Sequence, residues 1–376
     1  MTTFIHTADW HLGMTRRFLS PEAQSRYADA RVQAVRDIAA LATAEGAAFV
    51  VAAGDLFDSN HVDRQVVARA LDAMAEFTVP VLILPGNHDA LDAGSVYRSR
   101  LFLDRVPDLV TVIADSDPID VAPGVQVVGA PCLTRHPGRD LAAAAIDGLT
   151  PVPGLQRVLV AHGVADVLSP DADDPALIRM ASLGAALDAG VISYVALGDR
   201  HSSGAVGGDA RAQYSGSPVS TDHGELDPGN VLVVSLGDGP AEVRAHRVGD
   251  WTFRRIEAQL NGMDDVERLG ADLEALAGKQ RTIVRLALVG AVGMAEDARL
   301  QAIIDHNRDL FASLTVSDGR SDLAVYVDDA DLQDLGLSGY AYEAAAEIVA
   351  LSGAEGPLQE PAQDALRLLY RLTRAS

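Results

Sequence analysis

The sequence is poor in cysteine and has no long apolar run. Cys132 is the single cysteine among 376 residues, so neither an intrachain disulfide nor a zinc site built of several thiolates can form. This scarcity is typical of a reducing compartment, and we predict a cytoplasmic location. The longest apolar runs, 47–53 and 79–84, are far shorter than the roughly 18 residues of a membrane span. Residues 1–6 lead into a strand-like run without the features of a signal peptide, so we expect a soluble protein that is not exported.

Positive charge is scarce relative to negative charge. The chain has 53 acidic and 30 basic residues, and its formal net charge is −23. Lys279 is the only lysine among the basic residues. Such a chain cannot hold nucleic acid through a general positive field. A phosphate-containing partner must therefore be held locally, by metal ions or by clustered arginines. Hydrophobic residues make up 48% of the chain, which is enough for a substantial core and excludes general disorder.

The first half of the chain alternates β-rich runs with segments of helical periodicity. Strands are predicted at residues 4–8, 49–53 and 79–84, with helices at 22–45 and 62–77 between them. This order predicts parallel strands whose connecting helices cover the sheet. Later strands have fewer intervening helices and predict a second sheet packed on the first. These strands are 125–129, 158–160, 194–197, 230–236 and 243–248.

The pattern restarts near Asp250 and divides the chain into three predicted regions. Residues 1–249 form the core, residues 250–328 a small α+β cap domain, and residues 329–376 a helical C-terminal tail. The cap is predicted to alternate strands at 253–260, 282–288 and 322–326 with helices at 264–276 and 295–311. The tail contains helical stretches at 340–352 and 361–372. Its leucine-rich last helix either docks on a partner or packs on its own core.

Five predicted strands end in clusters of side chains that bind hard metal ions. The clusters are Asp9-Trp10-His11, Gly54-Asp55-Leu56-Phe57-Asp58, Gly86-Asn87-His88-Asp89, His162-Gly163 and Gly198-Asp199-Arg200-His201. Ligands of open α/β sheets bind at the carboxyl ends of the strands, so the five clusters are expected to meet in one site. Each cluster alone is commonly only a polar turn. The prediction depends on all five occurring together in this order.

Carboxylate, imidazole and amide oxygen together suit Mn²⁺, Fe²⁺ or Zn²⁺. Two ions about 3.5–4 Å apart need a shared carboxylate, which we assign to Asp55. His88 is expected to protonate the leaving oxygen or to steady the transition state, and Asp89 to orient His88. The other predicted ligands are Asp9, His11 and His201 for one ion and Asn87, His162 and Asp199 for the second.

These motifs resemble those of the calcineurin-like metallophosphoesterases, and more closely those of the Mre11/SbcD DNA-repair nucleases. The similarity lies in the opening Asp-Xaa-His-Leu-Gly, in Gly-Asp-Xaa-Phe-Asp, and in the segment 214–218 (Tyr-Ser-Gly-Ser-Pro) followed by Glu225. It extends over residues 1–250, and only in layout over residues 250–328. One motif departs from the pattern, because residues 198–201 read Gly-Asp-Arg-His where the family usually has Gly-His-Xaa-His.

The resemblance implies a four-layer α/β/β/α sandwich with two Mn²⁺ ions. It also implies a DNA exonuclease or endonuclease that works in repair and recombination through a metal-activated water, with a coiled-coil ATPase of the Rad50/SbcC type as partner. Arg16, Arg17 and Arg98 follow the first and third motifs and are candidate contacts to DNA phosphates. Two alternatives stay open: a phosphoesterase for small substrates such as cyclic nucleotides, and a catalytically weak scaffold for the ATPase. A homodimer also stays open.

Overall fold

The chain divides into two units, one of residues 1–17 and 24–251 and the other of residues 18–23 and 252–376. The computed structural model describes residues 1–171, 173–326, 337–354, 356–359, 361–362, 365–366 and 368–369. The predicted tail, 329–376, lies wholly within the second unit. The predicted cap, 250–328, does so too except for its first two residues, Asp250 and Trp251, which belong to the first unit. The three-region division itself stays a prediction.

Strands and helices alternate through much of the first unit, as the apolar periodicity predicts. The strands are β1 (Thr2–Thr7), β2 (Phe49–Ala53), β3 (Val81–Leu84), β4 (Val110–Val112), β5 (Ile119–Ala122), β6 (Val125–Ala130), β7 (Gln156–His162), β8 (Tyr194–Gly198), β9 (Gly204–Val206), β10 (Asp209–Tyr214), β11 (Asn230–Leu236) and β12 (Glu242–Arg247). The helices are α1 (Pro21–Ala44), α2 (Arg64–Met74), α3 (Arg100–Leu103), α4 (Leu141–Ile146) and α5 (Met180–Asp188). Val96–Arg98 and Asp166–Leu168 form single 3₁₀ turns.

These strands form two six-stranded sheets. The first sheet has the order β12-β11-β1-β2-β3-β4 and the second the order β5-β6-β7-β8-β10-β9. Strands β1 to β4 are mutually parallel, and so are β6, β7 and β8. The strands that lead into the polar motifs therefore share one direction within each sheet, and their carboxyl ends lie at one edge.

Two strands that we expected in the second sheet belong to the first. β11 pairs antiparallel with β1, and β12 pairs antiparallel with β11. The prediction that placed residues 230–236 and 243–248 in the second sheet is therefore wrong. Both faces of β11 are buried, one against each neighbouring core, so its continuous apolar run does not reveal which sheet it joins.

The two sheets pack face to face between two layers of helices. Phe4 and Phe49 stack with ring centroids 4.8 Å apart, and Tyr194 of the second sheet meets Phe4 edge-on at 5.7 Å. The outer face of the first sheet is covered by α1 and α2 through residues such as Ile38 and Leu71. Helices α4 and α5 cover the outer face of the second sheet. The predicted four-layer α/β/β/α sandwich is confirmed.

The second unit is built on a parallel sheet with helices on one face. Its elements are β13 (Thr252–Leu260), α6 (Met263–Ala275), a 3₁₀ turn (Lys279–Arg281), β14 (Thr282–Val292), α7 (Met294–Arg308), β15 (Ser313–Val316), β16 (Asp322–Val325) and α8 (Tyr340–Gly353). β14 pairs with β13 along one edge, and with β15 and then β16 along the other. Half of the predicted helix at 361–372 lies outside the described residues. No helix in the described part of the chain is both long enough and apolar enough to cross a bilayer.

Candidate metal centre

Backbone hydrogen bonds hold the first two motif loops side by side. The Asp9 N–H donates to the Gly54 carbonyl and the His11 N–H donates to the Asp55 carbonyl, each at 3.0 Å. The parallel pairing of β1 with β2 is thus followed by further cross-links beyond the ends of the strands. As a result, side chains from the two motifs leave the backbone close together.

Several candidate ligands have left-handed backbone conformations. The φ angles are +54° at Asp9, +45° at His11, +54° at Asp55 and +94° at Asp199. Among the described residues only one other non-glycine, Asp227, has a positive φ. This region is costly for residues with a Cβ, although aspartate tolerates it better than most. Strain concentrated at the candidate ligands is typical of a functional site.

Two glycines make room for ligand side chains. A Cβ at Gly54 would overlap the His162 ring, and a Cβ at Gly86 would overlap the Asp55 carboxylate. Gly54 also has a φ of +94°, which glycine adopts without strain. A larger residue at either position would displace a candidate ligand.

Asp9, His11 and His201 form one group of potential ligand atoms within 4.8 Å of one another. The Nε2 atoms of the two histidines lie 2.9 Å apart, and each is 4.0 Å from Asp9 Oδ1. The other nitrogen of His201, Nδ1, lies 2.6 Å from Thr221 Oγ1 and 3.2 Å from Glu225 Oε1. These contacts fix the His201 ring so that Nε2 faces the group.

Asp9, Asp55 and His162 form a second group, so Asp9 belongs to both. His162 Nδ1 donates to the Ala53 carbonyl at 2.8 Å, which turns Nε2 toward the group, 3.3 Å from Asp55 Oδ2. Asn87 joins these residues, because its Oδ1 lies 2.9 Å from His162 Nε2. This terminal atom of the Asn87 amide also lies 3.0 Å from Asp55 Oδ2 and 3.2 Å from Asp55 Oδ1.

The atoms that face one another in both groups are mainly hydrogen-bond acceptors. Two imidazole nitrogens meet in the first group, and in the second the Asn87 amide meets a carboxylate and an imidazole nitrogen, to which its NH2 group would donate if the amide were turned by 180°. Such atoms repel one another unless a proton or a cation lies between them. Carboxylate, imidazole and amide oxygen are also a ligand set of first-row divalent ions. The residues therefore fit divalent metal ions.

The pKa shifts of the candidate ligands indicate an excess of buried negative charge. Burial raises the pKa of Asp9 to about 7, and Asp55 and Asp199 reinforce this shift while His201 and His162 oppose it. Burial by itself lowers the pKa of His162, but the three carboxylates raise that pKa well above its usual value. Both shifts favour a proton on the cluster, which would offset its buried negative charge. A bound cation would supply the same compensation.

Asp199, the residue that departs from the family pattern, lies beside the second group. Its Oδ1 is 3.7 Å from His162 Nε2, and its side chain is 23% exposed. Its backbone N–H donates to the two Asp9 carboxylate oxygens at 3.1 and 3.2 Å. The carboxylate has a shorter reach than the imidazole usual at this position, and its role as a ligand stays a prediction.

Asp58, to which sequence reasoning assigned no role, contacts two histidines of the centre. His88 Nδ1 donates to the Asp58 carbonyl at 2.9 Å, and Asp58 Oδ1 lies 3.4 Å from His11 Nδ1. The His88 and His11 rings meet edge-on with centroids 5.2 Å apart. The only sequence signal for Asp58 was its place at the end of the second motif, three residues after Asp55.

Asp89 makes different contacts from those we expected. Its buried carboxylate accepts hydrogen bonds from Gly86 N–H at 2.7 Å, Phe57 N–H at 3.0 Å and the Tyr97 hydroxyl at 2.6 Å. His88 is instead oriented by the Asp58 carbonyl. The two neighbours separate because Asp89 is fully buried whereas His88 is only partly buried. Asp89 therefore ties the second motif loop to the third.

The three arginines proposed as DNA contacts differ in their surroundings. Arg16 Nη2 donates to the Thr221 carbonyl at 2.7 Å, and Thr221 itself contacts His201. Arg17 and Arg98 are exposed. Arg98 also lines an apolar groove of about 440 Å³. Contact of these arginines with DNA stays a prediction.

The chain is similar in part to a protein of known sequence and to solved structures. A 103-residue stretch is 32% identical to the SbcD subunit of the SbcCD nuclease of Staphylococcus saprophyticus, and the match covers 26% of this chain and 25% of that protein. The chain therefore matches about a quarter of that relative's length. Among solved structures, TT1561 of Thermus thermophilus is 11% identical with a TM-score of 0.41, covering 66% of this chain and 99% of its own. A dimetal phosphatase from Danio rerio is 17% identical with a TM-score of 0.43, covering 66% and 96% respectively.

The family match includes most of the candidate metal centre. Residues 2–183 match the calcineurin-like phosphoesterase family, a segment that contains Asp9, His11, Asp55, Asn87 and His162. The motif at 198–201 follows beyond the matched segment. Over residues 2–183, just under half of its length, the chain is thus similar to a family of divalent-metal-dependent phosphoester hydrolases.

Proposed function

We propose that this chain hydrolyses phosphodiester bonds in DNA, as an exonuclease or endonuclease of the Mre11/SbcD type. The observation that carries the proposal is the convergence of two adjoining groups of ligand atoms that share Asp9. Two adjoining ions suit an in-line displacement at phosphorus, because they can stabilise both the attacking and the leaving oxygen. The similarity to the SbcD subunit of a nuclease supports DNA as the substrate.

The candidate ligands divide between two ions, for which we propose Mn²⁺. Asp9, His11 and His201 would hold one ion, Asn87, His162 and Asp199 would hold the other, and we keep Asp55 as the proposed shared ligand, although Asp9 is the residue common to both groups of ligand atoms. When bound, such ions lower the pKa of a water molecule and stabilise the negative charge that develops on the phosphate. The chain supplies their spacing through the hydrogen-bonded loops after β1 and β2.

His88 is the candidate proton donor to the leaving oxygen. A carbonyl can only accept, so the Asp58 carbonyl fixes the His88 proton on Nδ1. This contact leaves Nε2 for the substrate, and protonated Nε2 can donate to the oxygen that departs. The His88 backbone N–H donates to Asp55 Oδ1 at 2.9 Å, which holds the residue next to the proposed shared ligand.

The test compares DNA with small substrates. We would assay single-stranded, duplex and hairpin DNA beside bis-p-nitrophenyl phosphate and cyclic nucleotides, with Mn²⁺ or with EDTA. We expect metal-dependent DNA cleavage that is lost in both Asp55→Ala and Asp55→Asn. Asp227→Ala is the matched control, since Asp227 is an exposed aspartate that also has a positive φ.

Each alternative has a distinct result in that assay. Hydrolysis of cyclic nucleotides without any cleavage of DNA would favour the small-substrate phosphoesterase. Absence of all hydrolysis in the folded wild-type chain would favour the scaffold. Normal turnover in the Asp55 variants would remove the two-metal mechanism.

We also propose a coiled-coil ATPase of the Rad50/SbcC type as partner, held by the region beyond residue 328. Helix α8 supports this proposal because it exposes Tyr340 (86%), Tyr342 (39%) and Leu351 (37%). Leu366, by contrast, packs against Met294 of its own unit. Truncation after residue 328 should preserve hydrolysis of small diesters and abolish co-purification with the ATPase. A truncated chain that does not fold would indicate instead that the tail serves its own core.

A further inference from the structure

The arginines of the first unit differ in whether they have partners. Several pair with carboxylates, for example Arg36 with Asp72 at 2.8 Å and Arg244 with Glu45 at 2.7 Å. The side chains of seven exposed arginines make no hydrogen bond or ion pair with any described residue. They are Arg17, Arg64, Arg98, Arg105, Arg135, Arg139 and Arg200. In a chain of net charge −23, arginines left without acidic partners are unexpected, so their positions are informative.

Six of these seven arginines follow the carboxyl end of a parallel strand. Arg17 comes after β1, Arg64 after β2, Arg98 after β3, Arg135 and Arg139 after β6, and Arg200 after β8. Arg105 is the exception, because it lies between α3 and the amino end of β4. The carboxyl ends of the strands are also where the candidate metal ligands lie. We call the six residues the arginine rim.

The loop of residues 131–140, which carries Arg135 and Arg139, is attached to the metal centre. The Cys132 N–H donates to the Pro85 carbonyl at 3.0 Å, and the Leu91 N–H donates to the Cys132 carbonyl at 2.8 Å. Pro85 and Leu91 flank the third motif, which contains Asn87 and His88. The base of the loop is thus fixed beside the candidate site.

The acidic neighbour of Arg139 forms no ion pair with it. Asp140 Oδ1 accepts from Ala143 N–H at 2.9 Å and caps α4, while Asp140 Oδ2 accepts from Arg179 N–H at 2.8 Å. Arg139 instead lines a cleft of about 340 Å³ together with Leu133, which is 54% exposed. A guanidinium beside an exposed apolar surface suits a phosphate joined to a nucleobase.

We propose that the arginine rim binds the phosphates of a polynucleotide strand on both sides of the scissile bond, with Arg135 and Arg139 as a subsite. The inference rests on the proposed nuclease function and extends it by locating the path of the strand. Unpaired guanidinium groups need not break an internal ion pair to bind phosphate, and their fork geometry matches its oxygens. The rim also provides the local positive charge that this acidic chain otherwise lacks.

The test uses the double variant Arg135→Gln/Arg139→Gln, with Arg105→Gln as the matched control. Binding of fluorescein-labelled DNA would be measured by anisotropy in EDTA over a series of salt concentrations. Each lost phosphate contact should make the slope of log K against log salt less negative by about 0.7–0.9, so the loss of two contacts in the double variant should shift it by about 1.4–1.8. Arg105→Gln should match wild type. The charge-preserving double variant Arg135→Lys/Arg139→Lys should have a slope of log K against log salt close to that of the wild type.

The outcomes separate this inference from the proposed function. If wild type binds and cleaves DNA but the double variant has the same slope as Arg105→Gln, the subsite is refuted and the nuclease proposal stands. If wild type neither binds nor cleaves DNA, the proposed function fails and the rim fails with it. Thermal melts of all variants, followed by circular dichroism, would verify that a change in the salt dependence of DNA binding does not result from unfolding.

Discussion

Tyr97 provides a sharp test of how the second and third motif loops are held together. Its hydroxyl donates to Asp89 Oδ2 at 2.6 Å, and the Asp89 carboxylate also accepts from the Phe57 and Gly86 amides. Tyr97 is 3% exposed and Asp89 is fully buried. Tyr97→Phe removes only the hydroxyl and leaves the ring, which packs edge-on against Phe57.

The magnitude follows from the charge on the acceptor. Burial, reinforced by Asp55, raises the pKa of Asp89 to about 6, while hydrogen bonds from Tyr97, Phe57 and Gly86 oppose this shift. At pH 8 the carboxylate is therefore mainly ionised, and a hydrogen bond to an ionised group contributes about 1.5–3 kcal/mol. The Phe57 amide still donates to the same oxygen in the variant. We therefore expect a loss of about 2 kcal/mol in the free energy of unfolding.

The assay is urea unfolding followed by tryptophan fluorescence. The two tryptophans, Trp10 and Trp251, are both buried in the first unit, so their signal reports on that unit. With a denaturant slope of about 3 kcal/mol/M, the midpoint should fall by about 0.7 M at an unchanged slope. The control Tyr340→Phe, at an 86% exposed position, should have no effect. A Tyr97→Phe midpoint equal to that of wild type would refute the argument.

Three further predictions concern the metal centre. His88→Ala should slow turnover by about 10²–10⁴-fold while calorimetry still finds two bound ions, and loss of an ion would instead make His88 a ligand. Asp199→His should retain hydrolysis and shift metal preference from Mn²⁺ toward softer ions, whereas Asp199→Ala should lose the second ion. A single anomalous peak in a Mn²⁺-soaked crystal, with Asp199 turned outward, would contradict that assignment. Asp58→Asn keeps the backbone carbonyl that accepts a hydrogen bond from His88 but removes the negative charge that faces His11. We therefore expect the affinity for metal, measured by calorimetry, to fall by about 10–100-fold. Unchanged affinity would show that Asp58 does not act through His11.

Apolar periodicity located most strands but did not determine their sheets. The runs at 49–53 and 230–236 coincide with β2 and β11, because in both the apolar residues stop where the strand stops. Periodicity reports which faces are buried, not which neighbour a strand pairs with. β11 could therefore be assigned to the wrong sheet. β15 was missed because only its first two residues, Ser313 and Leu314, are buried.

The candidate site was predictable in its residue types but not in its detailed contacts. Carboxylate, imidazole and amide side chains at strand ends are visible in the sequence, and all seven candidates lie in hydrogen-bonded or close contact, Asp199 through its backbone N–H to Asp9. Adjacency in the chain misled us about Asp89, because side chains of neighbouring residues in a turn can point to different environments. Asp58 was overlooked because its effect on His88 comes through its backbone carbonyl, which residue type does not reveal.

Charge links the proposed centre to the proposed rim. Without cations, the buried carboxylates of Asp9 and Asp55 would present negative charge to an approaching phosphate, and the raised pKa values of Asp9 and His162 would offset only part of it. Two divalent ions would reverse the sign of this charge at the centre, while the unpaired arginines after the same strands would keep the surrounding surface positive. Under the proposed function, metal binding is thus needed to place the scissile phosphate at the centre, whereas the arginine rim can hold the flanking phosphates without metal. A strongly acidic chain can act on a polyanion if its positive charge is concentrated at the edge where the parallel strands end.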